Sequence, residues 1–307
     1  MLTLSNLLTE QRNPHSMNLD EMTPLQIARI MNREDKRVIK AVRAVLPQVA
    51  KAIELGTACL RAGGRIIYIG AGTSGRLGLL DAAECPPTFG VSPDTVIGII
   101  AGGSDAVAHA AEDAEDSTTL CQEDLERIRL SPHDLVIGLA ASGRTPYVVH
   151  GLRYAQFLGC DTVAIACTEN SEIGKGARVV IEMLTGPEVL TGSTRLKAGT
   201  AEKMVLNMIS TGCMVGIGKT YENLMVDVSQ INEKLRARAH DIVLEATGCS
   251  EERASEALRE ADGHVKTAIV MILLGVTCAQ ANEALYRAQG RVRDALAEMT
   301  GGDAREC

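Results

Sequence analysis

A doubly wound α/β domain, with a parallel sheet covered on both faces and a small C-terminal helical bundle behind it, is the fold the sequence predicts. Three observations carry that expectation. Five short, β-rich apolar runs recur between Arg65 and Ile181, and helix-length segments separate them. Each run is too uniformly apolar to keep one face in water, which is the pattern of parallel strands buried on both sides. The chain has 307 residues, 46% of them apolar, enough for one large core and an appendage.

The elements follow in order. Residues 1 to about 20 are polar and contain the turn-prone Asn13-Pro14, which predicts an arm outside the folded core. Thr23-Pro24 opens a helix, and helical periodicity runs on from Asp35 to Ala62 with an interruption at Pro47. Strands are expected over Arg65 to Ile69, Val96 to Ile100, Leu135 to Leu139, Thr162 to Ala166 and Arg178 to Ile181. The helices between them are expected over Ser74 to Ala83, Asp105 to Arg129, Pro146 to Leu158 and Glu169 to Gly176, with Cys85-Pro86-Pro87 stopping the first. Beyond Lys219 helix dominates. Ser250 starts one helix, Gly263 breaks the chain, Val265 to Leu274 reads as a buried helix, and a second segment repeats the layout with its break at Gly290. These two hairpins resemble a ubiquitin-associated-type three-helix bundle, although packing against the sheet or a partner subunit is the plainer expectation. The expected divisions are residues 1–55 for the arm and first helices, 56–220 for the α/β domain and 221–307 for the helical region.

Composition excludes several classes of function. The formal net charge is -8, and the 31 Lys and Arg residues are scattered, so there is no footprint for nucleic acid or an anionic membrane. Five Tyr, two Phe and no Trp leave no stacking platform for single strands. Apolar runs such as Ala268 to Leu274 are far shorter than the roughly 20 residues of a membrane span, and no basic segment followed by an apolar core opens the chain; a soluble, cytoplasmic protein is expected. The nine cysteines are spread singly with no C-x-x-C pair, and Cys160, Cys167 and Cys213 lie in or beside apolar segments, so reduced thiols are expected rather than disulfides or zinc. The six histidines lack ligand spacing, and no metal site is expected.

Function is expected in the loops at the carboxyl ends of the strands. Three share a vocabulary: Gly70-Ala-Gly-Thr-Ser-Gly75, Ala140-Ala-Ser-Gly-Arg-Thr-Pro146, and Thr191-Gly-Ser-Thr-Arg-Leu-Lys-Ala-Gly-Thr200. Each places glycine and hydroxyls where a helix begins. Glycine lets amides approach an anion, hydroxyls donate to its oxygens, and the helix N-terminus carries partial positive charge. Together they predict a phosphate cradle, with Gly72, Thr73, Ser74, Ser142, Gly143, Thr145 and Ser193 as its members. Arg144 and Lys197 offer charge, either to the phosphate or to surface acids. Gly70, Gly72 and Gly75 match the G-x-G-x-x-G spacing of a dinucleotide turn, but the second strand ends in Ala101-Gly102-Gly103 with no acid for a ribose, which argues against a nicotinamide or flavin cofactor. Gly174-Lys175 and Gly218-Lys219 do not complete a P-loop, which argues against ATP.

The stretches "YIGAGTSGRLGLLDAAECPPTFG", "AAEDAEDS", "AASGRTPYV", "TGSTRLKAGTAEKMVLNMIST" and "NLMVDV" resemble the N-acetylmuramic acid 6-phosphate etherase family of sugar isomerase (SIS), flavodoxin-like fold. The resemblance runs from about residue 16 through the C-terminal hairpins. It implies conversion of N-acetylmuramic acid 6-phosphate and water into N-acetylglucosamine 6-phosphate and D-lactate, with no metal or redox cofactor. By the family motif Glu84 in "AAECPP" matches the acid that protonates the lactate oxygen, and Glu115 in "DAEDS" matches the second catalytic residue, assigned here as the base at C2. Two carboxylates suit such an elimination if their surroundings separate their proton affinities. The apolar neighbours Leu79, Leu80, Ala82 and Ala83 predict burial of Glu84, which would keep it protonated; Glu115 lies in an acidic run that on its own reads as a solvated helix face. Asn232 and Lys234 are candidates for the lactyl carboxylate, across a subunit interface, or for packing. The expected partner is the sugar phosphate alone, in a homodimer. The alternative is a non-catalytic sugar-phosphate sensor like the related glucokinase regulatory protein; an aldose-ketose isomerase would lack the E-C-P-P element.

Overall fold

The computed structural model describes residues 8–109, 112–229 and 233–300. Five strands, β1 Ile66–Gly70, β2 Val96–Ile100, β3 Leu135–Leu139, β4 Asp161–Ala166 and β5 Val179–Glu182, form one sheet in the order β2-β1-β3-β4-β5. Every pairing is parallel. All residues of β1 and β3 are buried, as their unbroken apolar runs require. The chain steps from β1 out to β2 and then returns to place β3 on the other side of β1. The crevice between β1 and β3 is therefore the topological switch point, where open parallel sheets bind ligands.

The two faces are distinct. Ile67 and Ile69 of β1 and Val136 of β3 join a cluster with Cys121, Leu125, Tyr147, Val148 and Leu152 from the helices α6 Leu120–Arg127 and α7 Pro146–Phe157. Tyr68, alternating to the other face, donates to Asp81 Oδ2 at 2.9 Å on α3 Gly72–Phe89, and Asp81 also accepts from Asn207 and Ser210 of α8 Lys197–Gly216. Ahead of the sheet, α1 Pro24–Ala44 starts on a capping box between Thr23 and Gln26. The helix α2 Leu46–Arg61 carries Pro47 in its first turn, where the missing N–H removes no helical bond.

Four expectations are corrected. The arm is not outside the core: Asn13 Nδ2 donates to Glu34 Oε2 at 2.8 Å and to Pro187 O at 3.0 Å, and Ser16 Oγ donates to Val189 O at 2.7 Å. The helix expected over 105–129 is three pieces, α4 Asp105–Ala108, α5 Glu112–Glu115 and α6. Ser117 Oγ accepts from Leu120 N at 3.1 Å, a local bond that competes with a continuous helix. The Pro86-Pro87 pair does not stop α3, which continues to Phe89 because Cys85 and Phe89, one turn apart, are both buried; Gly90 at φ +60° then ends it. Residues 169–176 form turns rather than a helix. Glu182, at the end of β5, takes the Asn170 and Ser171 amides at 3.1 and 2.8 Å.

The chain divides into two compact units, residues 1–83 with 93–210, and residues 84–92 with 211–307. The second contains α9 Glu233–Thr247, α10 Glu251–Glu260, α11 Val265–Leu274, α12 Cys278–Arg287 and α13 Val292–Thr300. Ser250 caps α10 as expected, accepting from Arg253 N, and α11 is buried along Val265 to Met271. Gly275 ends α11 in the left-handed conformation. The core of this unit joins Val226, Ile242, Val243, Ile269, Val270, Leu285 and Val292. Among the described residues no single helix is long and apolar enough to cross a membrane.

Candidate active site

The loops after β1 and β3 leave the sheet side by side, because Gly70 and Leu139 are register partners. In the first loop the three glycines have different reasons. A Cβ on Gly75 would lie 2.7 Å from Gly70 O and 2.7 Å from Ile100 Cγ1, so Gly70 and Gly75 let the start of α3 pack on the strand end. Gly72 has φ +52° and nothing within 4 Å of a Cβ, so it supplies the left-handed turn on the open side. Thr73 is half-buried and Ser74 is buried.

Ser74 Oγ lies 3.0 and 2.9 Å from the two carboxylate oxygens of Glu202 on α8. Burial pushes the Glu202 carboxyl up to about 7, with the Ser74 hydrogen bond acting the other way. One turn earlier on α8, Gly199 approaches Thr73 so closely that a Cβ would sit 3.3 Å from its methyl group. The first and third loops therefore meet along the opening turns of α3 and α8. The sequence reading missed Glu202, yet a signal was available. Ala198, Glu202, Val205 and Ile209 recur at helical spacing on a buried stripe, and a lone carboxylate in such a stripe calls for a partner.

In the loop after β3, Gly143 has φ +71° and packs so tightly that a Cβ would lie 2.6 Å from Ser171 Cβ. Ser142 Oγ accepts from Arg144 N at 3.4 Å, and Arg144 is exposed. Thr145, buried before the first turn of α7, does not cap that helix. Its Oγ1 donates to Glu115 Oε1 at 3.0 Å, which brings a member of the expected phosphate cradle onto the expected base.

The third loop departs from expectation. Lys197 is 1% exposed, and its ammonium donates to Glu34 Oε2 at 3.0 Å and to Pro187 O at 2.7 Å, so its charge goes to the interior and not to a phosphate. The first amides of α8 are also engaged: Glu188 accepts from Lys197 N at 3.1 Å and Ala198 N at 2.9 Å, with burial raising its carboxyl and those amides lowering it. Ser193, half-buried, stands in the turn before them. Glu84 is corrected too. It is exposed, and the buried residues of its turn are Asp81, Ala82 and Cys85. Glu84 belongs to the second compact unit and Glu115 to the first. Lys234 is exposed at the start of α9, and Asn232 lies outside the described residues.

A parallel sheet with glycine and hydroxyl loops at its switch point defines the class, a SIS domain, and residues 37–156 match the glucokinase regulatory protein N-terminal SIS domain. The relatives narrow the class. The chain is 55% identical over 281 residues to N-acetylmuramic acid 6-phosphate etherase of Pectobacterium atrosepticum, spanning 91% of this chain and 93% of that protein. It is 58% identical over 271 residues to N-acetylmuramic acid 6-phosphate etherase of Geobacillus sp., spanning 88% and 92%. The chain belongs to the N-acetylmuramic acid 6-phosphate etherase family. A phosphoheptose isomerase from Francisella tularensis superposes with a TM-score of 0.49 at 14% identity, covering 63% of this chain and 100% of that one.

Proposed function

We propose that the chain cleaves the D-lactyl ether of N-acetylmuramic acid 6-phosphate, with water, to N-acetylglucosamine 6-phosphate and D-lactate. The observation that carries this reading is the Thr145 Oγ1 to Glu115 Oε1 hydrogen bond of 3.0 Å, which ties a carboxylate to the loop of the switch point. Membership of the etherase family supports the substrate. An ether at C3 is a poor leaving group in direct displacement. In the open-chain sugar the C1 aldehyde acidifies the C2 hydrogen, and lactate then leaves from C3 by elimination. Glu115 takes the C2 proton, with Thr145 fixing the orientation of the carboxylate and leaving Oε2 for the substrate. On the family motif rather than on burial, since its side chain is exposed, Glu84 gives the proton that the departing lactate oxygen needs. Water adds at C3 of the unsaturated aldehyde, C2 regains a proton, and the product closes. This is carbon-oxygen lyase chemistry. The phosphate is held by the amides around Gly72 with the Thr73, Ser74 and Ser142 hydroxyls, and Gly143 lets that second loop pack close.

Replacing Glu84 by Gln is expected to abolish lactate release with an unchanged unfolding midpoint, since the residue is exposed; turnover at the parent rate would remove it from the reaction. The sensor reading is not favoured, because the relatives that match along nine-tenths of the chain are etherases. We further infer a cytoplasmic homodimer, for which light scattering at twice the 32.6 kDa chain mass is the check.

A further inference from the structure

Glu202 is 1% exposed and faces Ser74 of the β1 loop with both oxygens. Ser74 has a single hydroxyl proton. A hydroxyl that gives its proton to a carboxylate offers only lone pairs to anything else, and a phosphate dianion likewise offers only lone pairs. Two acceptors thus compete for one proton.

We propose that Glu202 is a proton-linked positioning residue, which takes up a proton as the substrate's phosphate binds and thereby turns the Ser74 hydroxyl from the carboxylate towards the phosphate. In the protonated form Glu202 donates to Ser74 Oγ, and the Ser74 O–H is released outward as a donor. The proposal rests on the reading above, that Ser74 receives the phosphate.

The surroundings favour this exchange. From α3 the group facing Glu202 is the Ser74 hydroxyl. From the end of β4 it is the Cys167 thiol, pushed well above its ordinary value by burial and then by the negative charges of Glu202 and Glu188. Glu188 in the loop before α8, whose charge also reaches Cys167, is held by the Lys197 and Ala198 amides. The Lys197 ammonium is turned away to Glu34 and Pro187. Glu202 therefore faces a hydroxyl and a thiol and, among the described residues, no cation, with burial holding its carboxyl up at about 7, in the range where an anion arriving beyond Ser74 tips the balance. A dianion on the far side of one hydroxyl disfavours a second negative charge, so binding and protonation reinforce each other.

The test is calorimetric titration of N-acetylglucosamine 6-phosphate into the enzyme at pH 7.5, in two buffers of different ionisation enthalpy. The expected result is net proton uptake on binding, supplied to the fraction of Glu202 still ionised at that pH. In Glu202→Gln the amide donates to Ser74 at every pH, so binding persists and the uptake disappears. The KM of the parent rises between pH 7.5 and 8.5, where the phosphate is already a dianion, and rises more steeply than the variant's. Binding without proton uptake by the parent, or with equal uptake by parent and variant, overturns the proposal and leaves the phosphate reading standing. Failure of the parent to bind the sugar phosphate overturns that reading and this proposal with it. The parent measurement alone decides if the variant does not fold.

Discussion

Glu34 keeps its charge inside the molecule. Burial pushes its carboxyl up, but hydrogen bonds from Asn13, Lys197 and His15, with the Lys197 charge, outweigh that and hold it at about 2 against an ordinary 4.5. The folded state therefore binds this proton more weakly than the unfolded chain does. The resulting stability is present above about pH 4.5 and is lost as pH falls from there towards 2. Glu34→Gln leaves the Lys197 ammonium without its counter-charge and is expected to cost about 3 kcal/mol at neutral pH in denaturant unfolding, with a flatter acid limb. An unchanged neutral stability would contradict the assignment. The same network explains why Lys197 is misread from sequence. It stands in a loop of glycine and hydroxyls, the setting of a phosphate ligand, and its true partner lies 163 residues earlier in the chain. Local pattern carries no trace of that pairing. The burial of Glu84 is misread for a related reason: Leu80, one turn earlier on the same side of the helix, and Ala83 are themselves exposed.

Elements were more legible than residues where periodicity alone decides them. All five strands lie within a residue of their expected ends, since an apolar run bounded by polar turns has little freedom in a parallel sheet. The helices failed where a specific side chain outbid the backbone. Ser117 breaks the segment after β2, and Glu182 takes the amides of residues 170 and 171. In α3 the glycine spacing was visible, but its division of labour was not. Gly75 is tied to strand packing and Gly72 to the left-handed turn. Gly75→Ala, with Gly70 O and Ile100 Cγ1 both 2.7 Å from the new methyl, is expected to cost about 1–3 kcal/mol by overpacking. Gly72→Ala meets open space and carries only the left-handed penalty of about 1 kcal/mol. Thermal unfolding of the two variants checks the order, and a larger loss for Gly72→Ala would reverse the account.

At the scale of the whole molecule, the strand order was legible as a class, since strands alternating with helices admit few connected topologies. That order places two hydroxyl loops on either side of the β1–β3 crevice, and the sequence had already singled out both. The meeting of α3 with α8 through Ser74 and Glu202 was not legible, because contacts between the loop after β1 and a helix beyond the last strand depend on how the layers close. On the proposed function, lactate departs by elimination after Glu115 removes the C2 proton. Turnover of N-acetylmuramic acid 6-phosphate in deuterated water tests it most directly. D-lactate release with deuterium at C2 of the N-acetylglucosamine 6-phosphate formed is expected, and release of lactate with protium retained at C2 would rule elimination out.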